Sequence, residues 1–491
     1  MSSYKWSDYK MKYGNMTLHT DKYQINMMYA HWLNGTDRER AVFEAYFRKL
    51  PFGNGFAVFA GLERFIGYIQ HLRFDDEILA YLASQEEGYE PGFLERLRSF
   101  RFTGNIWSME EGAVVFAGEP LVRVEANVFE AHLLETALLN FINYQTLVAT
   151  KAARIRLVAP DETLLEFGTR RAQEADAAVW GARASYIAGF DATSNLRAGM
   201  LFGIPTSGTH AHAWVQHHET EEEAFRKYAD ALPNQVTLLV DTYDTLKSGV
   251  PNAIKVAKRM EAAGNRMKAI RLDSGDLAYL SKQARRMLDE AGLQYVKIVA
   301  SNDLDENIIM NLKAEGARID SWGVGTQLIT AADQPSLGGV YKLVAREKDG
   351  KWEPVIKISA NPEKVSTPGA KDVYRIIDRK SGMAKADYVA LTDEEDVKAG
   401  EPIELFDPVH PYIHEIMEDY DAVSMLKPIF RDGELAYELP GMDAIRELNR
   451  KQMKLFWPEH LRKLNPERYP VDLSVKAWRQ KMDLIRKYKF K

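Results

Sequence analysis

The sequence predicts an α/β fold built on a barrel of parallel strands, and three features carry that expectation. First, six short apolar runs in the middle of the chain each end in polar, reactive residues: Leu164 to Arg171, Gly203 to His212, Val236 to Thr245, Ala269 to Asp276, Val296 to Glu306 and Ile319 to Thr326. Runs of this length with β-branched members are buried strands. Second, helix-like stretches lie between most of the runs, the alternation that parallel strands with crossover helices produce. Third, the apolar half always precedes the polar half. In such a barrel the chemistry sits at the C-terminal ends of the strands, so the six clusters should converge on one site.

The elements follow in order. Residues 1–150 read as an N-terminal α+β domain. Asp21 to Trp32 has helical apolar spacing, with Thr20 placed to cap it, and Ala41 to Lys49 alternates like a strand. Ala113 to Asn127 reads as strand, turn and strand, and Glu130 to Lys151 as a long buried helix. Residues 151–340 hold the barrel. Its helices are expected over Thr220 to Ala231, Asn252 to Ala263 and Ala278 to Ala291, with Gly264 and Gly292 as helix-ending glycines. Residues 341–400 are a β-rich return that opens with a hairpin, and 401–491 reads as a helical region. The two flanking segments are too poor in strands to stand alone and are expected to pair into one domain.

Composition narrows the function. The chain has 491 residues, 46% of them hydrophobic and 27% charged, the profile of an ordinary globular protein. Its net charge of −6 argues against a nucleic-acid partner. The absence of cysteine removes disulfides, thiolate nucleophiles and thiolate metal sites. No run of about 18 apolar residues is present, so no membrane span is expected. The polar start MSSYKWSDYKMKYG offers no apolar leader, which places the expected location in the cytoplasm.

The clusters point to an anion. Arg170, Arg171 and Arg271 stand at strand ends in an acidic protein, where guanidinium groups suit a carboxylate or phosphate. Gly323-Val-Gly-Thr326 after the sixth run, and Ser301-Asn302-Asp303 after the fifth, are polar turns able to hold a phosphate. Asp191, Asp241, Asp273, Asp276 and Asp303 supply the oxygen ligands that Mg²⁺ prefers. His210, His212, His217 and His218 are four of eleven histidines within nine residues. They admit two readings: a metal pair at His210 and His212, as in a hydrolase barrel, or one nucleophilic histidine that carries a phosphoryl group. The other strand ends add carboxylates but no histidine, which weakens the metal pair; His217 and His218 read as helix-surface residues. Pattern alone therefore gives a barrel enzyme for an anionic, phosphorylated substrate with Mg²⁺. A nucleotide-binding regulator on a degenerate barrel would leave strand ends bare, and none of the six is.

Several ordered motifs then resemble one family, the nicotinate phosphoribosyltransferases. They are Thr20 to Gln24, Glu166 to Ala172, Gly189 to Asn195, Gly208 to His212, Arg271 to Asp276, Gly323 to Thr326 with Pro335 to Gly339, and Pro368-Gly369 with Lys371. The resemblance implies a type II phosphoribosyltransferase: an irregular, incomplete α/β barrel beside an α+β domain formed by the N- and C-terminal segments. It implies nicotinate, phosphoribosyl pyrophosphate and ATP as substrates, Mg²⁺ as cofactor, an ATP-dependent ligase-type reaction, a role in NAD salvage, and a homodimer with shared active sites. His212 matches the histidine that ATP phosphorylates. Arg271 and Thr209 match the carboxylate contacts, and Tyr23 and Phe167 the two faces of the pyridine, with Tyr23 from the partner subunit. Asp191 matches a ring-facing position of the related nicotinamide enzyme. Arg170 and Arg171 face the donor. Asp273 is a catalytic and metal candidate. Ser301, Asn302, Gly323, Gly325 and Thr326 match the 5′-phosphate site.

Overall fold

The computed structural model describes residues 15–395, 397 and 401–489. The polar stretch at residues 1–14, read above as lacking an apolar leader, lies outside the described residues. The chain divides into two compact units: residues 1–147 with 336–491, and residues 148–335.

The second unit carries the parallel sheet. Its strands are β1 (Thr163–Glu166), β2 (Ala192–Thr193), β3 (Thr237–Leu239), β4 (Ala269–Leu272), β5 (Lys297–Ala300) and β6 (Ser321–Val324). They lie in the order β2-β1-β6-β5-β4-β3, and every pairing is parallel. That is a barrel's cyclic order opened between β2 and β3, so the sheet is a curled half-barrel. The expected crossover helices are Glu221–Ala231, Val250–Ala262 and Leu277–Glu290. Thr220 caps the first by accepting a bond from the Glu223 N–H, and Gly264 and Gly292 end the other two in the left-handed region that lacks a steric cost only for glycine.

One expected strand is corrected. Residues 203–212 form no strand; only Thr206 makes an isolated parallel bridge, to Thr193. Two glycines and a proline without an N–H explain the absent ladder. The short β2, not marked as a run, takes the place beside β1 through Leu165–Ala192 and Glu166–Thr193.

The first unit is strand-rich. Strand Arg40–Phe47 pairs with Gly339–Lys348 on one side and Val122–Asn127 on the other, so the return segment does join the N-terminal segment. A second sheet joins Lys371–Asp378, Ala384–Leu391, Tyr420–Ser424 and Val471–Leu473. The helical reading of 401–491 is corrected in its first third. Strands occupy Ile403–Phe406, His414–Met417, Tyr420–Ser424 and Lys427–Arg431, and helices begin only at Met442–Met453. Cross-strand burial of Ile403, Leu405 and Met417 decides the fold of that first part. At the N-terminal helix Lys22–Leu33 the cap position is Asp21, not Thr20, and no side chain caps it. Among the described residues no helix is long and apolar enough to cross a membrane.

Candidate active site at the open end of the half-barrel

Strand alternation assembles the site. Leu165, Ala192, Ala269 and Val299 form one apolar cluster on the concave face, with Phe167 packed against it. Side chains two residues further along a strand share that face. The next inward residues are therefore Phe167 after β1, Arg271 on β4, Ser301 after β5 and Gly323 on β6.

Arg271 is the centre. Its Nε donates to Ser301 Oγ at 2.8 Å, Nη1 to Thr209 Oγ1 at 3.0 Å, and Nη2 to Asp273 Oδ1 at 2.9 Å. Ser301 also donates to Asp273 Oδ1. Three of the five guanidinium N–H groups are thereby used, and among the described residues one on each terminal nitrogen remains for a ligand. The guanidinium carbon lies 5.6 Å from the centroid of the Phe167 ring. Gly323 makes room for that ring: a Cβ there would stand 2.6 Å from Phe167 Cδ2. The cluster thus joins a flat apolar ring face to a cation with two open donors.

Next to it stands a histidine–carboxylate pair. His212 opens the short helix His212–Gln216, and its Nε2 lies 3.1 Å from Asp241 Oδ1. Asp241 is the second residue past the end of β3, after Val240, and its side chain is buried. Its Oδ2 accepts from the Asp273 N–H at 2.9 Å and from Ser274 Oγ at 2.6 Å, so it links His212 to the Arg271 group. With Nε2–H donating to Asp241, the Nδ1 lone pair of the partly exposed His212 ring has no partner among the described residues.

Other expected residues fall differently. Asn302 and Asp303 both hold positive φ, 103° and 44°, a strained turn at the end of β5. Gly325 and Thr326 start the one-turn helix Thr326–Ile329, and the Phe167 N–H donates to Val324 O at 2.8 Å, which ties this turn to β1. Arg170 and Arg171 lie exposed on the turn Thr169–Arg171, without an ion-pair partner among the described residues. Asp191 is corrected as a ring-facing residue. Its carboxylate pairs with Arg156 at 2.7 Å and accepts from the Leu164 N–H at 2.9 Å, which fastens β2 to β1. Tyr23 lies in the first unit, 48% exposed on helix Lys22–Leu33.

His210 is corrected as a metal ligand. Its ring is buried against Phe225 and Tyr228, and its Nε2 accepts from the Leu239 N–H at 3.2 Å. Burial lowers its pKa to about 4, so it is neutral near pH 7. Among the described residues no group of three or more His, Asp or Glu side chains is arranged to hold a metal ion. A single ligand to a substrate-bound Mg²⁺ is compatible with that: Asp273 Oδ2 carries no hydrogen bond among the described residues, and Mg²⁺ commonly takes one or two carboxylates together with phosphate oxygens.

Sequence pattern alone does not single out two residues that the structure makes prominent. Asp241 was one of five interchangeable carboxylates, and only its register beside His212 distinguishes it. Glu166 was noticed only as part of a motif. Its buried carboxylate accepts from Thr193 Oγ1 at 2.5 Å and from the Gly168 N–H, which fixes the turn after β1 to β2, and burial pushes its pKa up.

A parallel half-barrel whose concave end offers a ring face, an arginine with two open donors and a carboxylate-held histidine defines an enzyme class: one that acts on a flat anionic substrate. Known proteins of this build give the class its family. Residues 18–143 match the nicotinate phosphoribosyltransferase N-terminal domain model, and residues 370–481 match the C-terminal domain model. A Bacillus subtilis nicotinate phosphoribosyltransferase is 55% identical over 484 residues, covering 98% of either chain. The human nicotinate phosphoribosyltransferase is 34% identical, covering 93% of this chain and 94% of its own. A crystal structure of the human enzyme superposes with a TM-score of 0.84, at 31% identity over 95% of this chain and 99% of that one. A Pyrococcus furiosus nicotinate-nucleotide pyrophosphorylase shares the fold, with a TM-score of 0.69 at 23% identity, covering 91% of this chain and 97% of its own. The chain belongs to the nicotinate phosphoribosyltransferase family.

Proposed function

We propose that this protein transfers the phosphoribosyl group of phosphoribosyl pyrophosphate to nicotinate, coupled to ATP cleavage through a phosphohistidine at His212, and so supplies NAD biosynthesis. The observation that carries the reading is Arg271. Its two open N–H groups suit a carboxylate, and Phe167 beside it offers a face on which a pyridine can stack. Thr209, oriented by Arg271, adds a hydroxyl.

In the transfer, the pyridine nitrogen forms a bond to C1′ of the ribose as the bond from C1′ to the pyrophosphate oxygen breaks. The nitrogen attacks with its own lone pair and loses no proton, so no general base is required. Negative charge grows on the leaving pyrophosphate, and the exposed Arg170 and Arg171 would attract it. Mg²⁺, with Asp273 as a ligand, would neutralise phosphate oxygens when bound. The Ser301 hydroxyl is taken up by Asp273 and Arg271, so the 5′-phosphate would be held by Asn302, Gly323, Gly325 and Thr326.

For the coupling, His212 Nδ1 is the acceptor. The N–P bond forms there as the bond from the γ-phosphorus to ADP breaks. Asp241 holds the ring in the tautomer that keeps Nδ1 unprotonated and stabilises the cationic ring that forms. Asp241→Asn can offer an N–H to Nε2 and so favour the wrong tautomer; a fall of about 10²-fold or more in the labelling rate is expected, read with γ-labelled ATP. Tyr23 would cover the second face of the pyridine from a partner subunit of a homodimer. The protein is read as cytoplasmic.

The deciding assay measures mononucleotide formed from nicotinate, nicotinamide and quinolinate, with and without ATP. Turnover of nicotinate, raised by ATP, is expected. Activity on nicotinamide alone would overturn the reading.

A further inference from the structure

The half-barrel is open between β2 and β3, and the outer edge of β3 would leave backbone groups without a strand to pair with. Alternation along β3 sends the Val240 N–H to Arg271 O on β4, at 3.1 Å. The Leu239 N–H consequently faces the open edge. There it meets the His210 ring, whose Nε2 accepts its bond. Residues 203–212 cross the gap. At one end they join β2 through backbone bonds: the Thr193 N–H donates to Pro205 O and the Ser207 N–H to Thr193 O, each at 3.0 Å. At the other end, among the described residues, their side chains meet β3 and the stretch just after it. His210 lies on Leu239 and His212 on Asp241, a two-residue step on both segments, as in a parallel ladder.

We infer that His210 is a positioning residue, a side-chain clasp that closes the barrel where a strand is missing and holds Thr209 against Arg271 and His212 against Asp241. The assignment rests on the functional reading above for what Thr209 and His212 do. Three observations support it. Thr209 and His212 flank the clasp, one residue before and two after. The ring is buried against Phe225 and Tyr228, so it has little freedom to swing. Its lowered pKa keeps it neutral near pH 7, and only a neutral imidazole can accept from a backbone N–H. A buried backbone donor without an acceptor is costly, so loss of the imidazole should shift the segment rather than leave Leu239 bare.

The test compares His210→Leu, which keeps apolar bulk without an acceptor, with His210→Gln, whose Oε1 can reach the place of Nε2. Three readouts are taken on the full-length protein: hydrogen exchange of the peptide containing Leu239, KM for nicotinate against kcat, and the rate of ATP-dependent labelling. His210→Leu should lose protection at Leu239, raise KM for nicotinate about tenfold and slow labelling to a similar degree. His210→Gln should recover most of all three. Retained protection with KM within twofold of wild type in His210→Leu would overturn the clasp, and so would equal impairment of the two variants. If His210→Leu does not fold, Asn takes its place, because its shorter amide imitates the Nδ1 side of the ring and not Nε2. Impaired Asn beside active Gln supports the clasp, and parity overturns it. Inactivity of the wild-type protein on nicotinate would sink the functional reading and leave the exchange comparison standing.

Discussion

Lys371 and Arg271 are both cations at motif positions, and the two units treat them in opposite ways. In the first unit, Lys371 Nζ reaches Glu44 at 2.8 Å and the carbonyls of Thr367 and Gly369 at 2.7 Å each, so its three N–H groups are all satisfied. Arg375, in the same unit, pairs in a fork with Asp387 at 2.8 and 2.6 Å and also reaches Gln452 and Val114 O. In the second unit, among the described residues, Arg271 keeps two N–H groups open and His212 keeps a ring nitrogen open. Saturated buried charge holds a fold together, whereas buried charge with donors to spare is set to receive a ligand. A motif residue alone does not reveal which of the two it is.

Substitutions can break or sharpen that contrast. The largest effect is expected at His212. His212→Ala should abolish acid-labile labelling by ATP, and retained label would remove the phosphohistidine from the mechanism. The role should not pass to His210, whose ring nitrogens are both occupied. Arg375→Met comes next. It strands Asp387 in the core and should cost about 3–5 kcal/mol of stability, read as a lowered denaturant midpoint. Its folded fraction should turn over normally; a selective loss of activity would break the distinction between the units.

Acid acts on both units through histidines that burial keeps neutral, His132 in the first and His210 in the second. Burial lowers His132 and His210 to about 4, below the value of about 6.5 in an unfolded chain. Between those values the unfolded state binds more protons. The stability contributed by each neutral ring is therefore complete above about pH 6.5 and is lost as pH falls toward 4, by at most roughly 3 kcal/mol per histidine. Urea midpoints measured across that range should fall, and His210→Gln should flatten part of the slope. The smallest effect belongs to Arg271→Lys, which keeps the charge and loses the fork. A loss of about 1.5–3 kcal/mol, roughly ten- to a hundredfold in kcat/KM for nicotinate, is expected without a change in the denaturant midpoint.

Much of the site was legible because strands obey a period of two. Phe167, Arg271, Asp273, Ser301 and Gly323 follow apolar runs, and the sheet brings all five together. Where the ladder fails, reading fails with it. Residues 203–212 looked like a strand and are a crossing segment with one bridge. Asp191 looked free to meet a ring and is bound to Arg156 and the Leu164 N–H. His210 looked like the twin of His212, yet one ring is buried in the core and the other is partly exposed.

The sequence by itself determined the half-barrel strands other than β2, the direction in which they run, and the end at which polar residues gather. Local hydrophobic period and turn residues dictate those, and both are read along the chain. Only the tertiary structure decided which polar residues have open valences. It paired Asp241 with His212, saturated Lys371, opened the barrel between β2 and β3 and set His210 across the gap. Those outcomes depend on which side chains meet across strands distant in sequence, where each hydrogen bond formed within the protein removes one available to a ligand.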